Sequence, residues 1–125
     1  MRRETDMTDG RRKTFDCPVE FTLDVLGGKW RAVLLAHLKD APLGYGELRR
    51  RVPSLSDKML SQRLGELQEA GLVRQLAIEE GHGRLRYALT ERGASLRPLL
   101  QQLYDWGTHA APEMGVTIRP AVSPQ

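Results

Sequence analysis

One cysteine, Cys17, stands in the whole chain. A lone thiol closes no internal disulfide and supplies no multi-cysteine zinc site, and such usage fits a reducing compartment. Histidine is scarce as well. His37, His82 and His109 lie far apart, with no carboxylate or cysteine at ligand spacing, so no metal is expected. No apolar run approaches the roughly 20 residues of a membrane helix. The opening Met1-Arg2-Arg3-Glu4-Thr5-Asp6 lacks the apolar stretch of a secretory signal. A cytoplasmic protein without a membrane partner is therefore expected. Absent too are a nucleophile–histidine–acid constellation and a phosphate-cradling glycine loop, so neither an enzyme nor a cofactor is indicated. A net charge of only +3 permits a nucleic-acid partner without demanding one, and the placement of the charges decides.

What is present is enough for one domain: 125 residues, 40% hydrophobic and 28% charged, can bury a modest core without disulfide or metal. Residues 1–16 are polar and aperiodic, read as a mobile arm, and 112–125, with Gly115, Pro120 and Pro124, as a flexible tail. Between them, 17–111 form the domain. A first helix opens at Cys17-Pro18-Val19-Glu20, with Pro18 suited to the first turn and Glu20 able to reach back. Val19, Leu23 and Leu26 give it an apolar stripe, and Gly27-Gly28 close it. Trp30, Val33, Leu34 and Leu38 mark a second helix that stops before Pro42, and a short third runs from Gly44 to Arg51. Ser56 is the natural cap of a fourth helix, Asp57 to Ala70, with Leu60, Leu64 and Leu67 on one face and Gly71 at its end. Two strand-like segments follow, Leu72–Ile78 and Arg84–Leu89, joined by Glu80-Gly81-His82-Gly83 as a hairpin. A last helix opens at Thr90-Glu91-Arg92-Gly93, with Pro98 either bending it or marking a break near its start. The fold class is mainly α (α+β), a winged helix-turn-helix with a two-stranded wing.

The fourth helix is the candidate recognition element. With its leucines inward, Lys58, Ser61, Gln62 and Gly65 share the opposite face. Short polar groups and long donors in the first half of such a helix suit base edges, which are read by hydrogen bonds. Arg63 lies beside them, and Ser56 with the first amides is placed to hold a phosphate. An ordinary solvated face is the competing reading. The hairpin weighs against it: Arg84 and Arg86, two apart on a strand, share one face near His82, a pairing that suits phosphates or a minor groove. Glu79 and Glu80 weaken that field.

The segments Cys17–Arg31, Tyr45–Arg50, Lys58–Leu67, Glu69–Val73 and Tyr87–Gly93 closely resemble, in the same order, the HxlR-type regulators, relatives of the MarR group. The resemblance implies a winged helix and a homodimer paired through its terminal helices on inverted-repeat DNA operators. One departure lies in the wing, where Gly81-His82-Gly83 replaces the proline-rich sequence often found before the second strand. Trp30, in the matched Gly27-Gly28-Lys29-Trp30 run, is read as core packing. Lys29 and Arg31 are placed to reach phosphates, as is the run Arg49-Arg50-Arg51 bordering the presumed DNA surface.

Leu99, Leu103, Tyr104 and Trp106 make the last helix more apolar than one small domain hides, so a second subunit is the natural cover. Phe21 of the first helix joins this candidate dimer interface. Cys17 has two readings. It is either a small buried residue at the helix start, or a thiol made reactive by the helix dipole. Some members resembling this chain carry a cysteine here that senses quinones, aldehydes or oxidants. A winged-helix module that binds protein instead of DNA is the alternative function, and it should show exposed apolar anchors on the fourth helix.

Overall fold

The computed structural model describes residues 13–77 and 85–119. Six helices and three strands follow in the order α1 (Pro18–Leu26), α2 (Trp30–Leu38), β1 (Leu43–Gly44), α3 (Tyr45–Arg51), α4 (Asp57–Glu69), β2 (Val73–Ala77), β3 (Leu85–Leu89), α5 (Glu91–Ala94), α6 (Arg97–Glu113). α2 sits at the centre and packs against α4, α6 and β3. Its Leu34, Leu35 and Leu38 meet Leu48, Leu55, Leu60, Leu64, Leu67 and Leu100, all fully buried. Each such leucine contributes about 1.5–3 kcal/mol of transfer free energy, so this aliphatic cluster is the main source of stability. Trp30 packs at its edge, as expected.

The helix-turn-helix is fixed by local chemistry. Gly44 N donates to Glu47 Oε1 at 2.7 Å to start α3, and Ser56 Oγ accepts from Met59 N at 3.1 Å to start α4. At the other end of α4, Gly71 takes φ +77°. Leu72 N donates to Leu67 O, and Gly71 N to Gln68 O, each at 3.0 Å. That pair of bonds is a Schellman stop, which needs a left-handed residue and so favours glycine. It throws the chain directly into β2.

Several expectations change. The sheet has three strands in the order β1-β3-β2, all antiparallel, because Leu43 and Gly44 pair with Tyr87 and Arg86 on the free edge of the hairpin. The hairpin turn, 78–84, lies outside the described residues. The last helix is two: Thr90 caps α5, its Oγ1 accepting from Gly93 N, and a turn at Ser95-Leu96 restarts the chain as α6 with Pro98 in its first turn. Pro98 thus marks the break near the start of the last helix, and it is tolerated there because an amide in the first turn has no intrahelical partner to lose. α6 then runs through Pro112 to Glu113, past the expected end at 111. In α1, finally, only Leu26 is buried, while Val19 and Leu23 are each 63% exposed. The periodicity marked an apolar stripe correctly, but this protomer's core does not cover it.

Candidate nucleic-acid interface

α4 presents two opposite faces. At 100° per residue, Leu60, Leu64 and Leu67 fall on one side and are buried; Lys58, Ser61 and Gln62 are exposed on the other, with Gly65 half-buried between. Ser56 remains exposed while its oxygen holds the Met59 amide, which leaves the hydroxyl proton free for a phosphate. The expected reading residues of the first two turns are thus brought together on one surface.

Arg63 is not among them. It sits on the flank of the helix, half-buried, with Nη1 2.8 Å from Glu66 Oε2. The other Glu66 oxygen lies 3.6 Å from Arg31 Nε, which joins α2 to α4. Gly27 leaves room for this arrangement, because a β-carbon there would collide with the Arg31 guanidinium. Two arginines expected to meet DNA therefore share one carboxylate of the protein.

The remaining basic residues divide in the same way. Arg49 pairs with Asp57 at 2.8 Å and also donates to Leu55 O, so it braces the turn before α4. Arg86 donates to Pro42 O at 2.8 Å and lies 3.5 Å from Glu47 Oε1; it ties the wing to the loop before β1 instead of standing clear. Lys29 lies over its neighbour Trp30 at 4.9 Å. Arg51 is half-buried near His37, whose pKa is lowered from 6.5 by burial first and then by the charges of Arg51 and Lys39. Lys58 and Arg50 are exposed and form no ion pair among the described residues. His82 and Arg84 lie outside the described residues.

Sequence reasoning passed over Tyr45, Asp57, Glu47 and Glu66. The Tyr45 hydroxyl lies 3.0 Å from Asp57 Oδ1, 3.2 Å from Asp57 O and 3.4 Å from Ser61 Oγ. Together with Arg49 it binds α3 to the start of α4. The spacing of Arg63 and Glu66, three apart on a helix, was a readable signal. Nothing in the sequence pairs Tyr45 with a residue twelve positions on.

A second surface is apolar. Trp106 is 70% exposed and Tyr104 61%, with Leu99, Leu103 and Phe21 also exposed, as are Val19 and Leu23. Among the described residues no large apolar side chain is exposed on α4; such side chains lie on α1, β3, α6 and the segment after it. Cys17 is exposed at the N-cap of α1 and caps nothing with its side chain, which overturns the reading of it as a small buried residue. No helix among the described residues is long and apolar enough to cross a membrane.

Comparison with known proteins agrees with this geometry. The profile of the HxlR-like helix-turn-helix family matches residues 25–114. The chain is 42% identical over 91 residues to the HTH-type transcriptional regulator YybR of Bacillus subtilis strain 168, covering 73% of each chain. Among solved structures it is similar to the redox regulator HypR in its oxidised form, with TM-score 0.69 and 41% identity, covering 74% of this chain and 96% of that one. It is also similar to the reduced form of the regulator YodB from B. subtilis, with TM-score 0.62 and 32% identity, covering 76% and 94%.

Proposed function

This chain belongs to the HxlR-like helix-turn-helix family, and we propose that it is a homodimeric, cytoplasmic transcription regulator acting on an inverted-repeat operator in double-stranded DNA. One observation carries the reading: the outer face of α4 is polar and open at Lys58, Ser61 and Gln62, while the opposite face is sealed by three leucines. In a symmetric pair, two such helices enter successive major grooves about 34 Å apart. Lys58, Ser61 and Gln62 meet base edges; Arg50, Ser56 and the first amides of α4 meet phosphate. In this reading the wing residues His82 and Arg84, outside the described residues, and Arg86 contact the sugar–phosphate backbone. Arg31, Arg49, Arg63 and Arg86 each lie against a carboxylate, so phosphate competes there with a partner already in place.

The exposed apolar residues of α1 and α6, Phe21, Leu99, Leu103, Tyr104 and Trp106, are the surfaces through which two copies pair. A protein-binding adapter would carry its apolar anchors on α4, and α4 exposes none. Exposure of Cys17 at a helix start, together with similarity to the redox regulator HypR, supports a response to electrophiles or oxidants through this thiol. An electrophile adds to the sulfur as the thiol proton leaves, and the adduct lies at the helix that also carries Phe21.

A mobility shift on the promoter DNA beside its own gene tests the reading. Two protomers on one duplex, displaced by salt, are expected; no shift at any protein concentration contradicts it. Loss of binding after diamide treatment in wild type but not in Cys17→Ser supports the thiol response, and equal loss in both removes Cys17 from it.

A further inference from the structure

We propose that Ser61 faces DNA as a hydrogen-bond acceptor only, so that it selects a base presenting an exocyclic amino group, and that Tyr45 is the positioning residue that makes it so. The inference rests on the DNA-binding reading above and concerns what one of its residues recognises.

A serine hydroxyl both donates and accepts, which is why serine is usually an undiscriminating reader of bases. Here the hydroxyl has a neighbour: Ser61 Oγ lies 3.4 Å from the Tyr45 hydroxyl. Tyr45 has one proton to give. Its other two neighbours, Asp57 Oδ1 at 3.0 Å and Asp57 O at 3.2 Å, are both acceptors with no proton of their own. The tyrosine proton therefore goes to Asp57, as a charge-assisted bond when it points at the carboxylate. Arg49, 2.8 Å from the same oxygen, holds that carboxylate in place. The contact between Tyr45 and Ser61 is then a hydrogen bond only if Ser61 donates.

A helical serine has one other common outlet for its proton, the carbonyl four residues back. For Ser61 that carbonyl is Asp57 O, which already lies under the Tyr45 hydroxyl. With the proton turned toward Tyr45, the Ser61 lone pairs are what remains for the groove. Cytosine N4 and adenine N6 offer hydrogens there, whereas guanine O6 and N7 and thymine O4 offer more acceptors. The chain Arg49–Asp57–Tyr45–Ser61 thus converts an ambiguous hydroxyl into a polarised one, and exclusion of water on binding strengthens the effect.

The experiment has two steps. Selection from a random duplex pool by wild type and by Ser61→Ala identifies the base pair whose preference the alanine alone erases. Duplexes are then made with the exocyclic amino group of that pair deleted, 2-pyrimidinone replacing dC or unsubstituted purine replacing dA. Wild-type affinity should fall about 2–10-fold, the worth of one neutral hydrogen bond. Ser61→Ala should not respond. Tyr45→Phe keeps the ring that packs against the core, should melt within a few degrees of wild type, and should weaken the discrimination, because the Ser61 proton loses the acceptor that fixes it and is left with the Asp57 carbonyl, which already takes the helical Ser61 amide. Indifference of the wild type to amino deletion overturns the proposal, as does a Tyr45→Phe protein that discriminates like wild type. So does a Ser61→Ala pool identical to the wild-type pool, although DNA binding itself then stands. A wild-type pool with no enriched sequence ends both this inference and the reading beneath it.

Discussion

Arg63 donates to the carboxylate of Glu66 across 2.8 Å, less than one turn further along α4. The pair turns a residue that spacing alone would place near DNA into part of the protein's own surface, and it leaves Lys58 as the exposed cation of the reading helix. An arginine already neutralised by a carboxylate adds little to counterion release when DNA arrives.

The two cations should therefore behave differently on substitution. Lys58→Ala is expected to weaken operator binding and to reduce the salt slope by about one unit per protomer. Arg63→Ala should leave that slope unchanged within error. Anisotropy titrations at several salt concentrations check both, and equal slopes for the two variants would contradict the assignment.

The apolar face of α6 predicts the oligomeric behaviour. Trp106 is 70% exposed in the protomer, and a tryptophan at the centre of an interface is commonly worth about 2 kcal/mol or more. Trp106→Ala should weaken self-association about 30-fold or more by sedimentation equilibrium, with the far-ultraviolet spectrum preserved. A variant that associates like wild type would place the interface elsewhere.

Gly93 is a steric necessity. A β-carbon there would collide with Leu72 O, the carbonyl that accepts from Thr90 N where the wing joins α5. Alanine ordinarily improves a helix by about 1 kcal/mol over glycine. At this position overpacking should reverse the sign and cost about 1–3 kcal/mol, seen as a lowered melting temperature. A more stable Gly93→Ala protein would show that the wing and α5 part easily.

His37 sets a pH dependence. Its folded-state pKa lies below 6.5, by burial and by the charges of Arg51 and Lys39. Between the folded value and 6.5, the unfolded chain binds more protons than the folded one. The stabilising contribution is thus complete above 6.5 and declines as pH falls through that window. Melting temperatures at pH 7.5 and pH 5 should differ more for wild type than for His37→Gln. Equal differences would assign the acid sensitivity to other groups.

How much of this was legible in the sequence depends on range. Leu60, Leu64 and Leu67 announced both the fourth helix and its inward face, Ser56 its beginning and Gly71 its end, because periodicity and capping are written within one or two turns. Val19 and Leu23 carried the same periodicity, yet this protomer leaves them uncovered. An apolar stripe says that something must cover it, not which chain does. The third strand was invisible, since Leu43 and Gly44 have no strand pattern and pair with residues more than forty positions on. The site was harder still. Residue type placed Arg49, Arg63 and Arg86 near DNA, whereas their availability depends on Asp57, Glu66 and Glu47. Of these pairs only Arg63 with Glu66 has a spacing that local rules anticipate.

The central claim is that the outer face of α4 enters DNA twice, once from each subunit. Equilibrium binding to a footprinted inverted-repeat duplex, followed from 50 to 200 mM salt with stoichiometry measured in parallel, tests it most directly. Two protomers per duplex and an affinity that falls by about 10³–10⁵ across that range, as for 6–10 neutralised phosphates, are the predicted result. Binding indifferent to salt, or one protomer per duplex, would contradict it.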